Sequence, residues 1–139
     1  LMNSAHLVIL KKPYLNAILE GKKTIESRIL KRKSAPFGRI CQGDKLFLKA
    51  SAGPVLACAR AARIAQYADL NENAVLALKK RYNHLVMAPD EYWDSRLQAR
   101  FAVFIWLENV KPIEPLRITK KDWRSWVVLE KSTDFGLLR

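Results

Sequence analysis

Apolar and polar positions change period several times along this chain, and each change marks an element. His6 to Leu10 is a short apolar run and predicts a strand. Pro13 suits the first position of a helix and Gly21 the position just past its end. Leu15, Ala17, Ile18 and Leu19 supply the apolar face between them, so 13–20 reads as a short helix. From Thr24 to Ile29 the period falls to two, with Ile25 and Ile29 on one side and Thr24, Glu26 and Arg28 on the other. Residues 31–43, with Pro36, Gly38 and Gly43, read as a loop. Lys45 to Ser51 predicts a strand, Gly53 and Pro54 a turn, and Val55 to Ile64 a longer strand whose alanines weaken it by propensity. Asp69 and Glu72 have the spacing of a capping box. Ala74, Val75, Leu78 and Tyr82 then recur at helical intervals and predict a helix over 70–83, with a second over 89–97. Phe101 to Val110 is apolar and aromatic and predicts a buried strand. Residues 119–124 read as a short helix, and Trp126 to Leu129 as a closing strand.

Five or six strands with helices set to the side predict an α+β fold whose sheet curls into a small barrel. No repeat or linker interrupts the pattern, so residues 2–139 are expected to form one domain, with 66–98 as a helical insertion.

Charge narrows the choice of partner. Lysine and arginine number 25 against 13 acids, a net +12. Such a surplus attracts polyanions, and nucleic acid or nucleotides lead that class; solubility alone is the competing reading. Cys41 and Cys58 are too few for a disulfide scaffold, and with His6 and His84 isolated no metal site is expected, nor any cofactor. No apolar run approaches the roughly 18 residues of a membrane span, and no signal pattern opens the chain, so a cytoplasmic protein is expected.

Half of the surplus is local. From Lys11 to Lys33, eight cations stand against Glu20 and Glu26, a net +6. Lys11, Lys12, Lys22, Lys31, Arg32 and Lys33 are candidate phosphate contacts, and Tyr14 a candidate stacking surface for a base. Thr24, Glu26 and Arg28 share one strand face, where a hydroxyl, a carboxylate and a guanidinium must pair or meet a wet cleft. Lys23, at the turn before them, is in reach of Glu26. A neighbouring positive charge would lower its pKa and favour acid/base work, with a surface ion pair as the competing reading. Thr24 and Ser51 are further candidate hydroxyls. Lys79 to Arg81 reads as a solvated basic face, with extension of an RNA track as the alternative. Trp123 and Trp126, flanking Arg124 and Ser125, read as core more readily than as a stacking platform.

Pro13, Tyr14, Ile18, Gly21, Lys23, Glu26 and Arg28 together resemble a known signature: Pro-aromatic, a short helix, then Gly-x-Lys-x-x-Glu-x-Arg. Here that last stretch reads GKKTIESR, Gly21 to Arg28. The pattern is that of the ASCH family, among the PUA-like barrels. The specific motif covers residues 13–28, and a looser likeness covers most of the chain. The resemblance implies a small PUA-like β-barrel of five to six strands with flanking helices. It also implies a cleft holding Lys23, Glu26 and Arg28 and a ligand that is RNA or a nucleotide. Some members resemble amidohydrolases that deacylate a modified cytidine through a lysine, a threonine and a glutamate. Lys23 matches that lysine, but Glu26 stands at the threonine position and Thr24 lies two residues away. Other members have been considered ribonucleases. Binding of RNA or a nucleotide is the leading expectation. Hydrolysis of a modified nucleoside or of RNA is the alternative, and an acidic protein partner the third.

Overall fold

The computed structural model describes residues 3–120 and 123–138. Its elements run β1 (Ala5–Leu10), α1 (Lys12–Leu19), β2 (Ile25–Leu30), β3 (Lys45–Ala50), β4 (Val55–Tyr67), α2 (Glu72–Val86), α3 (Asp90–Asp94), β5 (Phe101–Leu116) and β6 (Trp126–Val128). The strands form one sheet in the order β2-β5-β4-β3-β1-β6. Only β1 and β3 run parallel; the other neighbours are antiparallel. The sheet therefore ends on β2 at one edge and on β6 at the other. It curls until these ends approach, because Arg28 of β2 reaches the carbonyls of Ile9 and Ser125. The result is an α+β fold, a half-barrel with one open seam.

Alternation sorts side chains into layers. Inside the curl lie Val8, Leu10, Leu46, Leu48, Val103 and Ile105, plugged by Leu15 and Ile18 of α1. Ala57, Ala59 and Ala61 face the same interior. These alanines make β4 look weak by propensity, yet their small side chains leave room for the sheet to bend. Register shifts along β4 at Val55/Ala57, Cys58/Arg60 and Ala61/Arg63 add to that bend. Outside β2 and β5, Ile25, Ile29, Ala102 and Phe104 pack under Val75, Leu78 and Tyr82 of α2 and Trp93 of α3. A third layer joins Leu7 and Phe47 to Phe135 and Leu137 of the C-terminal segment.

Helix ends differ in places from the sequence pattern. Helix α1 begins at Lys12, so Pro13 is its second residue, one position later than expected, and Gly21, at φ +78, takes the left-handed conformation that releases the chain from it. The cap of α2, however, is Asn71, whose side chain accepts the Ala74 N–H at 2.8 Å. Leu70 explains the shift from Asp69. It is buried and its N–H donates to the Arg100 carbonyl just before β5, so the chain is still held there one residue beyond the expected cap. The second predicted helix shrinks to Asp90–Asp94. The short helix expected over 119–124 includes 121–122, outside the described residues, and its described flanks are not helical. Trp126 is core, but Trp123 is fully exposed, against expectation.

One buried polar network pins the interior near β6. The Trp126 indole N–H donates to His6 Nδ1 at 3.0 Å, so the proton of the neutral imidazole sits on Nε2, 2.8 Å from Asp44 Oδ2. Asp44 also accepts the N–H groups of Ser4 and Cys41. Burial holds the His6 pKa below its ordinary 6.5, against the opposing pull of Asp44. A second proton would also point Nδ1–H at the indole N–H. As pH falls, the unfolded chain binds the proton before the folded one. Stability is therefore complete above 6.5 and declines as pH drops through 6.5 toward the folded value. The His6 imidazole resonances should titrate below 6.5, and His6→Gln should flatten the fall of Tm on acidification; titration at or above 6.5 refutes this account.

Candidate nucleotide-binding cleft

Strand β2 builds the site because it is an edge with two chemically different faces. Glu26 and Arg28 lie opposite Ile105 and Val103, which face the barrel interior. Ile25, Ser27 and Ile29 lie opposite Trp106, Phe104 and Ala102, which face the helices. The apolar alternation of Ile25 and Ile29 thus turns Glu26 and Arg28 toward the seam. The outward backbone of this edge meets side chains instead of another strand. Lys23 Nζ donates to the Ile25 carbonyl, and the Tyr92 hydroxyl to that of Ser27.

The charged residues form one buried cluster. Lys23 Nζ donates to the carbonyls of Ile25 at 2.9 Å and Val86 at 2.7 Å, and lies 3.3 Å from Glu26 Oε1. Glu26 Oε2 accepts from Arg28 Nε at 2.9 Å and Nη2 at 2.7 Å. Arg28 also donates through Nη2 to the Ile9 carbonyl at 3.0 Å and through Nη1 to the Ser125 carbonyl at 3.2 Å. Its guanidinium lies 5.3 Å from the Trp126 ring.

Burial lowers the Lys23 pKa, with a smaller push from Arg28; Glu26 acts in the opposite direction. The sequence had suggested neighbouring positive charge as the cause, whereas loss of solvent comes first. Burial pushes Glu26 upward, but Arg28 and then Lys23 outweigh it, and its carboxyl stays below the ordinary value. An ammonium matches the Lys23 surroundings, since three acceptors face its three N–H groups. A neutral amine would turn its lone pair on one of them.

Around this cluster opens a cleft of about 720 Å³. Lys23, Glu26, Arg28, Lys11, Tyr14 and Ser51 all line it, and Tyr14 covers Lys23 with 5.5 Å between ring centre and ammonium. Thr24 does not line the cleft. It precedes β2, where its N–H donates to Leu85 and its carbonyl accepts from Leu107. Lys12, Lys22, Lys31, Arg32 and Lys33 are exposed and lie outside the lining; Lys22 pairs with Glu20 at 3.0 Å.

The opposite wall escaped sequence reasoning. It comes from the α2–α3 corner, α3 and the residues just after it, within the segment expected as an insertion: Pro89, Tyr92, Ser95 and Arg96. Ser27 Oγ lies 2.8 Å from the Tyr92 hydroxyl. The tyrosine has one proton, and with it directed to the Ser27 carbonyl, the serine hydroxyl is the donor of that contact. Burial, and then the Glu26 charge, push the Tyr92 pKa up to about 12, so it remains a phenol. Arg96 packs on its ring, 3.8 Å from the centroid. The i, i+3, i+4 spacing of Tyr92, Ser95 and Arg96 was the available signal. Among the described residues no cluster of three His, Cys, Asp or Glu could hold a metal, and no helix is long and apolar enough to cross a membrane.

Glu26 balances two buried cations, so its neutralisation should be felt throughout the cluster. Glu26→Gln is expected to lower unfolding stability by about 3 kcal/mol in urea denaturation, as for other buried pairs robbed of one partner. A loss under about 0.5 kcal/mol would mean that water already compensates these charges.

The ASCH domain family model matches residues 8–117. Among solved structures, the chain is similar to the ASCH protein from Zymomonas mobilis at 20% identity and a TM-score of 0.72, with 96% of this chain and 93% of that one covered. Two point mutants of the same protein superpose equally well, with TM-scores of 0.72 and identities of 20% and 19%; each covers 96% of this chain, and 96% and 94% of the mutant chains are covered. No curated protein matches the sequence. The match across most of its length, together with the Gly21-to-Arg28 signature, places this chain in the ASCH domain family.

Proposed function

We propose that the cleft binds an unpaired RNA base or nucleotide. The carrying observation is a buried Lys23–Glu26–Arg28 cluster of net positive charge, set in a cleft of about 720 Å³ beside two aromatic side chains, Tyr14 and Tyr92. That size is typical of small-ligand sites, and few polar groups aimed at a shared space fix an orientation. Tyr14 offers a face for stacking, while Ser27, Ser51 and Arg28 offer polar contacts to a base edge or sugar. Lys11 lines the mouth, and Lys12, Lys22, Lys31, Arg32 and Lys33 spread the positive field around it. Lys23 and Glu26 satisfy each other and the backbone, which favours a rigid, preorganised binding site over mobile acid/base groups.

Binding of a single-stranded oligoribonucleotide should weaken steeply with salt. With about three phosphates engaged, the slope of log affinity against log salt is expected near −2, at roughly 0.7 per phosphate. Tyr14→Ala should cost about 1–3 kcal/mol if it stacks on a base. Salt-independent affinity, or no affinity at low salt, overturns the reading.

A hydrolytic reading rests on one further observation: a buried lysine of lowered pKa facing the same cleft as the Ser51 hydroxyl. Lys23 would serve as base, Glu26 as its acid/base partner and Arg28 as stabiliser of the developing anion, with Ser51 and, if β2 shifts, Thr24 as hydroxyls. Release of acid from an acylated nucleoside, or cleavage of RNA, should then disappear in Lys23→Ala. Absence of turnover across such a panel removes this reading and leaves binding intact.

A further inference from the structure

The seam does not end at the nucleotide cleft. Beyond Arg28 it opens into a second groove of about 500 Å³, whose lining includes Ser34, Arg39, Arg124, Trp126 and Glu130. Leu30 and Ser125 line both hollows. Arg28, which lines the first hollow, donates through its guanidinium to the carbonyl of the shared residue Ser125. The Trp126 ring beneath that guanidinium lines the second groove. The two hollows therefore adjoin at Leu30 and Ser125, beside the Arg28–Ser125 contact.

Their chemistries differ. The first holds aromatic rings and buried charges that suit a planar base. The second holds two arginines and the Ser34 and Thr133 hydroxyls against one acid, Glu130. Lys31, Arg32 and Lys33, all exposed, occupy the chain between its lining residues Leu30 and Ser34. Arg39 is exposed, and its guanidinium makes no hydrogen bond or salt bridge among the described residues. Exposed cations around a groove suit a phosphodiester chain, since phosphate contacts are electrostatic and need no buried geometry.

We infer that the cleft and this second groove form one track for a single-stranded oligoribonucleotide. One base enters the first cleft, the backbone passes over the Arg28–Ser125 contact, and a neighbouring phosphate meets Arg39 in the second groove. This rests on the nucleotide-binding reading of the first cleft and sharpens it: the ligand is a strand of two or more nucleotides, not a free nucleoside.

The test compares ribonucleoside monophosphates with mixed-sequence hexaribonucleotides in titrations at one fixed low salt. The hexamer should bind at least about tenfold tighter than any monophosphate. Arg39→Glu should weaken the hexamer about tenfold and the monophosphates less than about twofold, and Arg39→Lys should restore most of the loss. Lys80→Glu, on the exposed face of α2, is the charge-matched control and should leave the ratio of the two affinities unchanged. Equal affinity for hexamer and monophosphate, or equal losses from Arg39→Glu and Lys80→Glu, overturns the track. Monophosphates that bind while the hexamer gains nothing would sink this inference and leave the first cleft standing. If neither ligand binds, the nucleotide-binding reading itself fails.

Discussion

Where β2 meets β1, the sheet does not pair with itself; a carboxylate held between two cations joins the edges instead. Lys23 ties the end of α1 to β2 and to the last carbonyl of α2. Arg28 ties β2 to the end of β1 and to the segment before β6. Glu26 holds both. Removing three charges from water is expensive, and the cost is offset only because nearly every donor and acceptor finds a partner. Side chains that join an edge in this way leave space between the strands. Backbone pairing would have closed it.

The apolar layers make that arrangement possible. The interior of Val8, Leu48, Val103 and Ile105 fixes the curl. The outer layer beneath α2 and α3 then holds β2 in one register, since a slip by one residue would send Ile25 and Ile29 to the seam and Glu26 into the hydrophobic layer. The same layer brings Tyr92 to Ser27, so the helical segment that looks like an insertion supplies a wall of the site.

At about 20% identity to the Zymomonas mobilis protein, what the two chains share is the fold. Many side-chain choices are compatible with a packed apolar interior of the right volume and pattern. The polar cluster is less permissive, because each member leaves another unpaired when it is lost.

Short-range pattern determined much of this protein. Period-two alternation placed Glu26 and Arg28 opposite Ile25 and Ile29, Pro13 and Gly21 marked the ends of α1 to within about a residue, and local charge marked the basic stretch. These features depend on neighbours within a few residues, and so they are legible in the chain. The tertiary structure alone decided which carbonyls receive Lys23 and Arg28, because Val86 and Ser125 lie 63 and 97 residues from their donors. It also decided the parallel pairing of β1 with β3, the cap at Asn71, the exposure of Trp123 and the place of Tyr92 and Arg96 in the cleft. The strand pairing and the cleft wall are fixed by contacts between segments remote in sequence. A hydrogen-bond partner or a desolvated charge has no signature until folding brings those segments together.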